Sequence, residues 1–133
     1  MGKGPAKLTD REYKVMEVLW NSEKDLTINE ISELSDDRKL TVACIAQVIP
    51  RLLKKELIRV EKFIPVNTKY ARTFRPEISR EDYSEGELLR LLQKTGTKAI
   101  ISALVNFTTI NTDKEFLQDL EASIEEYIRK KKG

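Results

Sequence analysis

Ten basic side chains lie between residues 38 and 75, and only two acidic side chains accompany them. This basic segment has a net charge of +8. Residues 1–37 have five basic and nine acidic side chains, a net charge of −4, and residues 76–133 have nine basic and eleven acidic side chains, a net charge of −2. Positive charge concentrated in one segment indicates an anionic partner, most simply nucleic acid. The alternative is a lysine-rich surface that only meets solvent. The basic residues are Arg38, Lys39, Arg51, Lys54, Lys55, Arg59, Lys62, Lys69, Arg72 and Arg75.

The stretch TVACIAQVIPRLLKK, residues 41–55, has the spacing of a helix with one apolar face. The apolar face consists of Val42, Ile45, Ile49, Leu52 and Leu53. The other face consists of Ala43, Ala46, Gln47 and Lys54, with Pro50 among them. Proline has no N–H to donate to the carbonyl of Ala46, so we expect the helix either to kink at Pro50 or to break and restart there.

Capping boxes mark the helices that precede this stretch. Thr9-x-x-Glu12 predicts a helix that ends near Asn21, and Thr27-x-x-Glu30 predicts a shorter second helix. Thr41 is placed to cap the third helix, over residues 41–55. In the second helix, the residues expected to point inward are Ile28, Ile31 and Leu34.

Two strands follow the third helix. Ile58, Val60 and Ile64 alternate with polar residues, although Phe63 breaks the alternation. We expect residues 65–68 to form a turn and residues 69–75 to form the second strand, which Pro76 ends. Three helices followed by a β-hairpin is the element order of a winged helix-turn-helix.

In a helix-turn-helix, the second helix of the motif places its N-terminal residues against base edges in the major groove. The candidates for this role are Thr41, Ala43, Cys44, Ala46 and Gln47. Glutamine can pair with adenine, and alanine methyl groups suit thymine methyl groups. The candidates for phosphate contacts are Arg51, Lys54, Lys55, Lys62, Lys69 and Arg72. A winged helix that binds only protein is the alternative.

Residues 77–133 are expected to be wholly helical, which makes the predicted fold mostly α with one small β-hairpin. The predicted domains are a winged helix over residues 1–76 and a helical dimerisation domain over residues 77–133. Thr112-x-x-Glu115 is a third capping box, before the last helix. The apolar surface suits a two-fold dimer, and packing against residues 1–75 is the alternative. The expected interface residues are Ile100, Ile101, Leu104, Phe107, Phe116, Leu120 and Ile124.

Composition argues against several other classes of protein. One cysteine and no histidine leave few ligands for a zinc site and few groups for nucleophilic or acid–base catalysis. Cys44 lacks the second cysteine that a redox switch usually uses, so we interpret it as a small residue. We therefore expect a cytoplasmic protein that is not an enzyme, with no cofactor, no metal and no membrane insertion.

Several motifs resemble the penicillinase and methicillin-resistance repressors and the related copper-responsive repressors (BlaI/MecI/CopY). They are LTDREYKVMEVLW, TINEIS, RLLKKELIRVEKF and YARTFRP, the last followed by EISREDY. The resemblance implies a homodimer that binds a palindromic DNA operator through winged helices. In the antibiotic-responsive branch it also implies a membrane sensor and protease system, with cleavage of an Asn-Phe bond. Asn106-Phe107 stands at the corresponding place.

The chain departs from the family pattern in three respects. The metal-binding Cys-x-Cys pairs of the copper branch have no counterpart, so Cu(I) would lack thiolate ligands. Family members usually carry a helix former where this chain has Pro50. They also carry a glycine where it has Glu56. The two substitutions lie in and directly after the predicted reading helix, so they put its docking angle in doubt.

Overall fold

The structure is a computed structural model and describes residues 7–107 and 113–132. Within these ranges the chain forms six helices and one antiparallel hairpin. The elements are α1 (Asp10–Asn21), α2 (Ile28–Leu34), α3 (Val42–Lys54), β1 (Ile58–Val66), β2 (Lys69–Pro76), α4 (Arg80–Thr95), α5 (Thr97–Phe107) and α6 (Lys114–Lys132). The hairpin directly follows α3, which confirms the predicted winged helix-turn-helix followed by C-terminal helices.

Local sequence explains where α1 and α2 begin. Thr9 N–H donates to the Glu12 carboxylate at 2.9 Å, and Glu12 N–H donates to the Thr9 hydroxyl at 3.2 Å. Thr27 and Glu30 repeat this pair of bonds at the same two distances. Both capping boxes therefore form as predicted, and each satisfies N–H groups that a helix start otherwise leaves unpaired.

The core of the winged helix lies between the three helices and β2. Its fully buried apolar side chains are Val15, Met16, Leu19, Leu26, Ile31, Ile45, Val48, Ile49, Leu52 and Phe74. Two predictions of inward residues are wrong, because Leu34 is 58% exposed and Val42 is 44% exposed. Both lie at helix ends, where the apolar periodicity continues beyond the reach of the core. Val48, which the predicted apolar face omitted, is buried.

The hairpin contains a bulge that explains the broken alternation at Phe63. Val60 pairs with Phe74 and Lys62 pairs with Thr73, so Glu61 is the extra residue in β1. The Thr73 hydroxyl accepts the Lys62 N–H at 3.1 Å. Beyond the bulge, Phe63 shares the sheet face of Val60, and Ile64 turns to the other face, contrary to the expected alternation.

The turn of the hairpin is shorter than predicted. β1 continues through Pro65 to Val66, and the pair Val66–Lys69 leaves a two-residue turn. Asn67 occupies the left-handed region with φ +57°, which asparagine tolerates better than most residues. Leu26 forms an additional bridge to Phe74, so β2 lies between β1 and the segment before α2.

Helix α3 is continuous through Pro50, so of the two expected outcomes, a kink or a break and restart, the break does not occur. The helix ends in a Schellman motif, in which Leu57 N–H donates to the Leu52 carbonyl and Glu56 N–H donates to the Leu53 carbonyl, both at 3.0 Å. Glu56 occupies the left-handed position of this motif with φ +60°, where glycine is the usual residue.

The chain divides into two compact units, one ending at Tyr83 and the other beginning at Ser84. The indole N–H of Trp20 donates to the Ile78 carbonyl at 2.8 Å, and the Arg80 guanidinium lies 5.5 Å from the Trp20 ring centroid. Leu8 N–H donates to the Tyr83 hydroxyl at 3.4 Å. These contacts extend the winged-helix unit beyond Pro76, the predicted boundary, to the start of α4.

The second unit contains the rest of α4 with α5 and α6. Gly96, with φ +102°, separates α4 from α5. Thr112 of the predicted third capping box lies outside the described residues. The Asp113 carboxylate accepts the Phe116 N–H at 2.7 Å at the start of α6. In the described part of the chain, no helix is both long enough and apolar enough to span a bilayer.

Candidate nucleic-acid interface

Helix α3 presents one face to solvent while the opposite face anchors it in the core. Ile45, Val48 and Ile49 are buried, and they hold the helix against α1, α2 and the hairpin. The exposed face consists of Thr41, Val42, Ala43, Ala46, Gln47, Pro50, Arg51 and Lys54. Cys44 is half-buried and packs against the core, so it lies at the side of this reading face.

Thr41 combines exposure with a structural task. Its hydroxyl oxygen accepts the Cys44 N–H at 3.1 Å and so caps α3. The hydroxyl proton remains available to donate to a phosphate or base acceptor. Thr41 therefore fixes the start of the helix and offers one donor on the reading face.

Pro50 lies on the same exposed face. The Ala46 carbonyl, which loses its helical donor to the proline, also belongs to an exposed residue. Water can bond to that carbonyl, which lowers the cost of the proline compared with a buried site.

Five of the six predicted phosphate-contact residues have exposed side chains, namely Arg51, Lys54, Lys62, Lys69 and Arg72. Arg51 and Lys54 lie on the last two turns of α3, and Lys69 and Arg72 lie on β2. The Arg72 guanidinium lies 5.3 Å from the ring centroid of Phe74, which restrains it over the strand. Helix α3 and the hairpin therefore both carry cations outside the core.

Lys55 is placed differently from its neighbours. Its ammonium group lies 2.6 Å from the Glu12 carboxylate and 3.2 Å from the Lys7 carbonyl. Burial raises the pKa of Glu12, but the hydrogen bonds from Lys55 and Thr9 and the charge of Lys55 outweigh burial and lower it below 4.5. Glu12 is only 1% exposed and holds Lys55 as its partner, so a phosphate would have to compete with Glu12 for Lys55.

Lys62 also has an ion-pair partner within the protein. Its ammonium group lies 3.7 Å from the Asp25 carboxylate. The nearby Thr73 hydroxyl, opposed by desolvation and aided by the charges of Lys62 and Arg75, lowers the pKa of Asp25. A phosphate would therefore compete with Asp25 for Lys62, whereas Lys69 and Arg72 have no ion-pair partner among the described residues.

Two further cations of the basic segment donate hydrogen bonds to other groups of the protein. Arg59 donates to Glu61 at 2.9 Å and to Glu77 at 2.7 Å, which raises the pKa of Arg59. Arg75 donates to the Glu23 carbonyl at 3.1 Å. The net charge of the segment thus overstates the number of cations available to a ligand.

A shallow pocket of about 250 Å³ lies where the start of α2, the start of α3 and β2 meet. Its lining combines polar groups with the exposed part of Val42. The lining residues are Thr27, Ile28, Asn29, Val42, Ala71, Arg72 and Phe74. The side chains of Asn29 and Arg72 supply donors beside the reading face, as contacts to a sugar-phosphate backbone require.

The family model for the penicillinase repressor matches residues 8–127 of the chain. The chain belongs to the penicillinase repressor family. The match confirms the resemblance seen in the motifs, and it covers both the winged helix and most of the C-terminal helices. No curated protein matches the chain in a sequence search.

Members of the penicillinase repressor family are transcription factors, not enzymes, and bind operator DNA through a winged helix. This protein is accordingly a DNA-binding transcriptional repressor. Among the described residues, no group of three or more His, Cys, Asp or Glu side chains could hold a metal ion.

In this penicillinase repressor, the residues expected at a dimer interface range from buried to exposed. Ile101 is buried, and Ile100, Leu120 and Ile124 are half-buried. Leu104 is 54% exposed and Phe116 is exposed to a similar degree. Asn106 is exposed in the last turn of α5, and the Phe107 side chain lies outside the described residues.

Proposed function

We propose that the protein acts as a homodimer whose two winged helices bind the half-sites of a palindromic operator. The observation that carries this proposal is the exposed face of α3, with Ala43, Ala46 and Gln47 in its first turns and Arg51 in the next. Lys69 and Arg72 add cations on the hairpin. Base contacts come from the first turns, and the cations position the helix on phosphates.

Exposed apolar side chains in the second unit support the homodimer. Monomeric proteins rarely expose contiguous large apolar patches, and a second copy of the same chain is the simplest cover. A dimer that holds two half-sites makes the second contact intramolecular, which raises affinity without new contacts. The exposed residues are Leu88, Leu91, Leu104, Phe116 and Tyr127.

A matched pair of lysine substitutions tests the dimer. Leu104→Lys places charge in the proposed interface, and Leu34→Lys makes the same change at an equally exposed leucine of the winged helix. Sedimentation velocity should show a monomer for Leu104→Lys and a dimer for Leu34→Lys, as for the unmodified protein. A dimer of undiminished affinity in Leu104→Lys would place the interface elsewhere.

The salt dependence of DNA binding tests the phosphate contacts. Lys69→Ala or Arg72→Ala should weaken binding to all duplexes and reduce the slope of log K against log salt by about 0.9 for each lost phosphate contact. Lys14→Ala is the control, because it removes one positive charge from α1, where Lys14 is paired with Asp37. If the slope of log K against log salt were the same for Arg72→Ala and Lys14→Ala, the hairpin would not be part of the DNA interface.

We also propose that cleavage between Asn106 and Phe107 relieves repression. Cleavage there would separate α6 from the rest of the chain, and with it the apolar residues Phe116, Leu120 and Ile124. The test is intact-mass analysis of the tagged protein from cells exposed to a β-lactam. A fragment ending at Asn106 is expected, and Phe107→Ala should prevent its formation. Derepression with the chain intact would contradict the proposal.

A further inference from the structure

The first turns of α3 offer very few hydrogen-bonding groups to DNA. Between Thr41 and Gln47 the exposed side chains are Thr41, Val42, Ala43, Ala46 and Gln47, and none of them is charged. The next exposed cation, Arg51, follows one turn after Gln47. Because the N-terminal residues of such a helix meet the base edges, this short set determines which bases the helix can distinguish.

Guanine lacks a suitable partner in this set. Guanine presents two acceptors in the major groove, which arginine or lysine reads with paired donors. Thr41 uses its oxygen as the cap of α3, so it contributes a single donor. Gln47 has a free amide, whose donor and acceptor match the N7 and N6 groups of adenine.

Val42 is a separate observation, and it concerns an apolar contact instead of a hydrogen bond. It is 44% exposed at the start of α3, beside the pocket formed with Ala71 and Arg72, and contact with an apolar group would remove this side chain from water. The only apolar group on a base edge in the major groove is the thymine methyl. Ala43 and Ala46 extend the same apolar surface along the helix.

We infer that the base-contacting turns of α3 select operator half-sites by their A·T pairs. Gln47 reads one adenine, Val42 with Ala43 and Ala46 packs on thymine methyl groups, and α3 leaves guanine unread. This inference rests on the proposed operator binding, and it names the bases that the same surface recognises. Arg51, one turn after Gln47, keeps the phosphate contact that the proposed function gives it.

Base analogues test the inference on a duplex selected from a random library with the full chain. Replacing thymine with uracil removes only the methyl group, and each contacted position should weaken binding about fourfold, as expected for one buried methyl-sized group. Replacing guanine with 7-deazaguanine in the same duplex removes the N7 acceptor and should change binding by less than about twofold. The reverse pattern would overturn the inference.

Two variants assign the effects to residues. In Val42→Ala the uracil penalty should shrink at one thymine of each half-site and persist at the others. Replacing adenine with 7-deazaadenine removes the N7 acceptor that Gln47 would contact and should weaken binding of the unmodified protein; in Gln47→Ala this penalty should disappear. Unchanged penalties in both variants would overturn the assignment. If selection enriches no sequence at all, the proposed operator binding itself fails, so the two failures are distinguishable.

Discussion

Replacing Pro50 with alanine tests whether the reading helix depends on its proline. Proline inside a helix is about 3 kcal/mol less favourable than alanine. Two features reduce this figure here. The Ala46 carbonyl that lacks the proline's N–H belongs to an exposed residue, and proline restricts the unfolded chain by about 0.4–1 kcal/mol. We therefore expect Pro50→Ala to raise the free energy of unfolding by about 2 kcal/mol.

The gain in stability should coincide with weaker operator binding. Proline kinks helices, so the restored hydrogen bond should change the direction of α3 at residue 50 and re-aim Ala43, Ala46 and Gln47 relative to Arg51. Losing the alignment of one base contact costs about tenfold in affinity. Urea denaturation measures the stability and fluorescence anisotropy measures binding to the selected duplex, with Pro65→Ala in β1 as a control that leaves α3 unchanged.

Two results would refute this reasoning. Stability that stays the same or falls would show that α3 accommodates Pro50 without strain. A more stable variant with unchanged operator affinity would show that Pro50 has no part in aiming the helix.

Three further predictions concern stability. Glu56→Gly should raise the free energy of unfolding by about 1 kcal/mol, as urea denaturation would measure, since glycine adopts φ +60° without the steric cost that glutamate has there. A lower free energy of unfolding would contradict the assigned Schellman motif. Glu12→Gln should cost about 2 kcal/mol at neutral pH by breaking the pair with Lys55. Because the folded-state pKa of Glu12 is below 4.5, this contribution is present above that pH and is lost as the pH falls through the folded value. Acid titrations followed by circular dichroism should therefore show a flatter decline for Glu12→Gln. Trp20→Phe should cost about 1 kcal/mol by removing the hydrogen bond to Ile78, as thermal melts would show.

The parts of the fold that depend on neighbouring residues could be predicted from the sequence. Thr9 and Thr27 cap their helices with groups three residues away, so the sequence pattern contains the whole interaction. The β-bulge at Glu61 could not be located in this way. It depends on the pairing of Lys62 with Thr73 across the hairpin, and only the interrupted alternation at Phe63 indicated it.

The same distinction applies to the candidate interface. The exposed side of α3 follows from helical periodicity, which places Ala43, Ala46 and Gln47 together. The role of Lys55 depends on Glu12, 43 residues earlier in the chain. A capping-box glutamate followed by an apolar run gives no indication of a distant lysine. Charge alone places Lys55 among the candidates for phosphate contacts, and only the structure shows its pairing with Glu12.

Affinity for two duplexes tests most directly whether the exposed face of α3 reads sequence. Anisotropy titrations would compare Gln47→Ala with Gln93→Ala, the same change at an exposed glutamine of α4. Gln47→Ala should bind the selected duplex about tenfold more weakly, as for one lost base contact, and a scrambled duplex as before. Gln93→Ala should match the unmodified protein on both. If Gln47→Ala bound the selected duplex with undiminished affinity, α3 would not be the element that reads the operator.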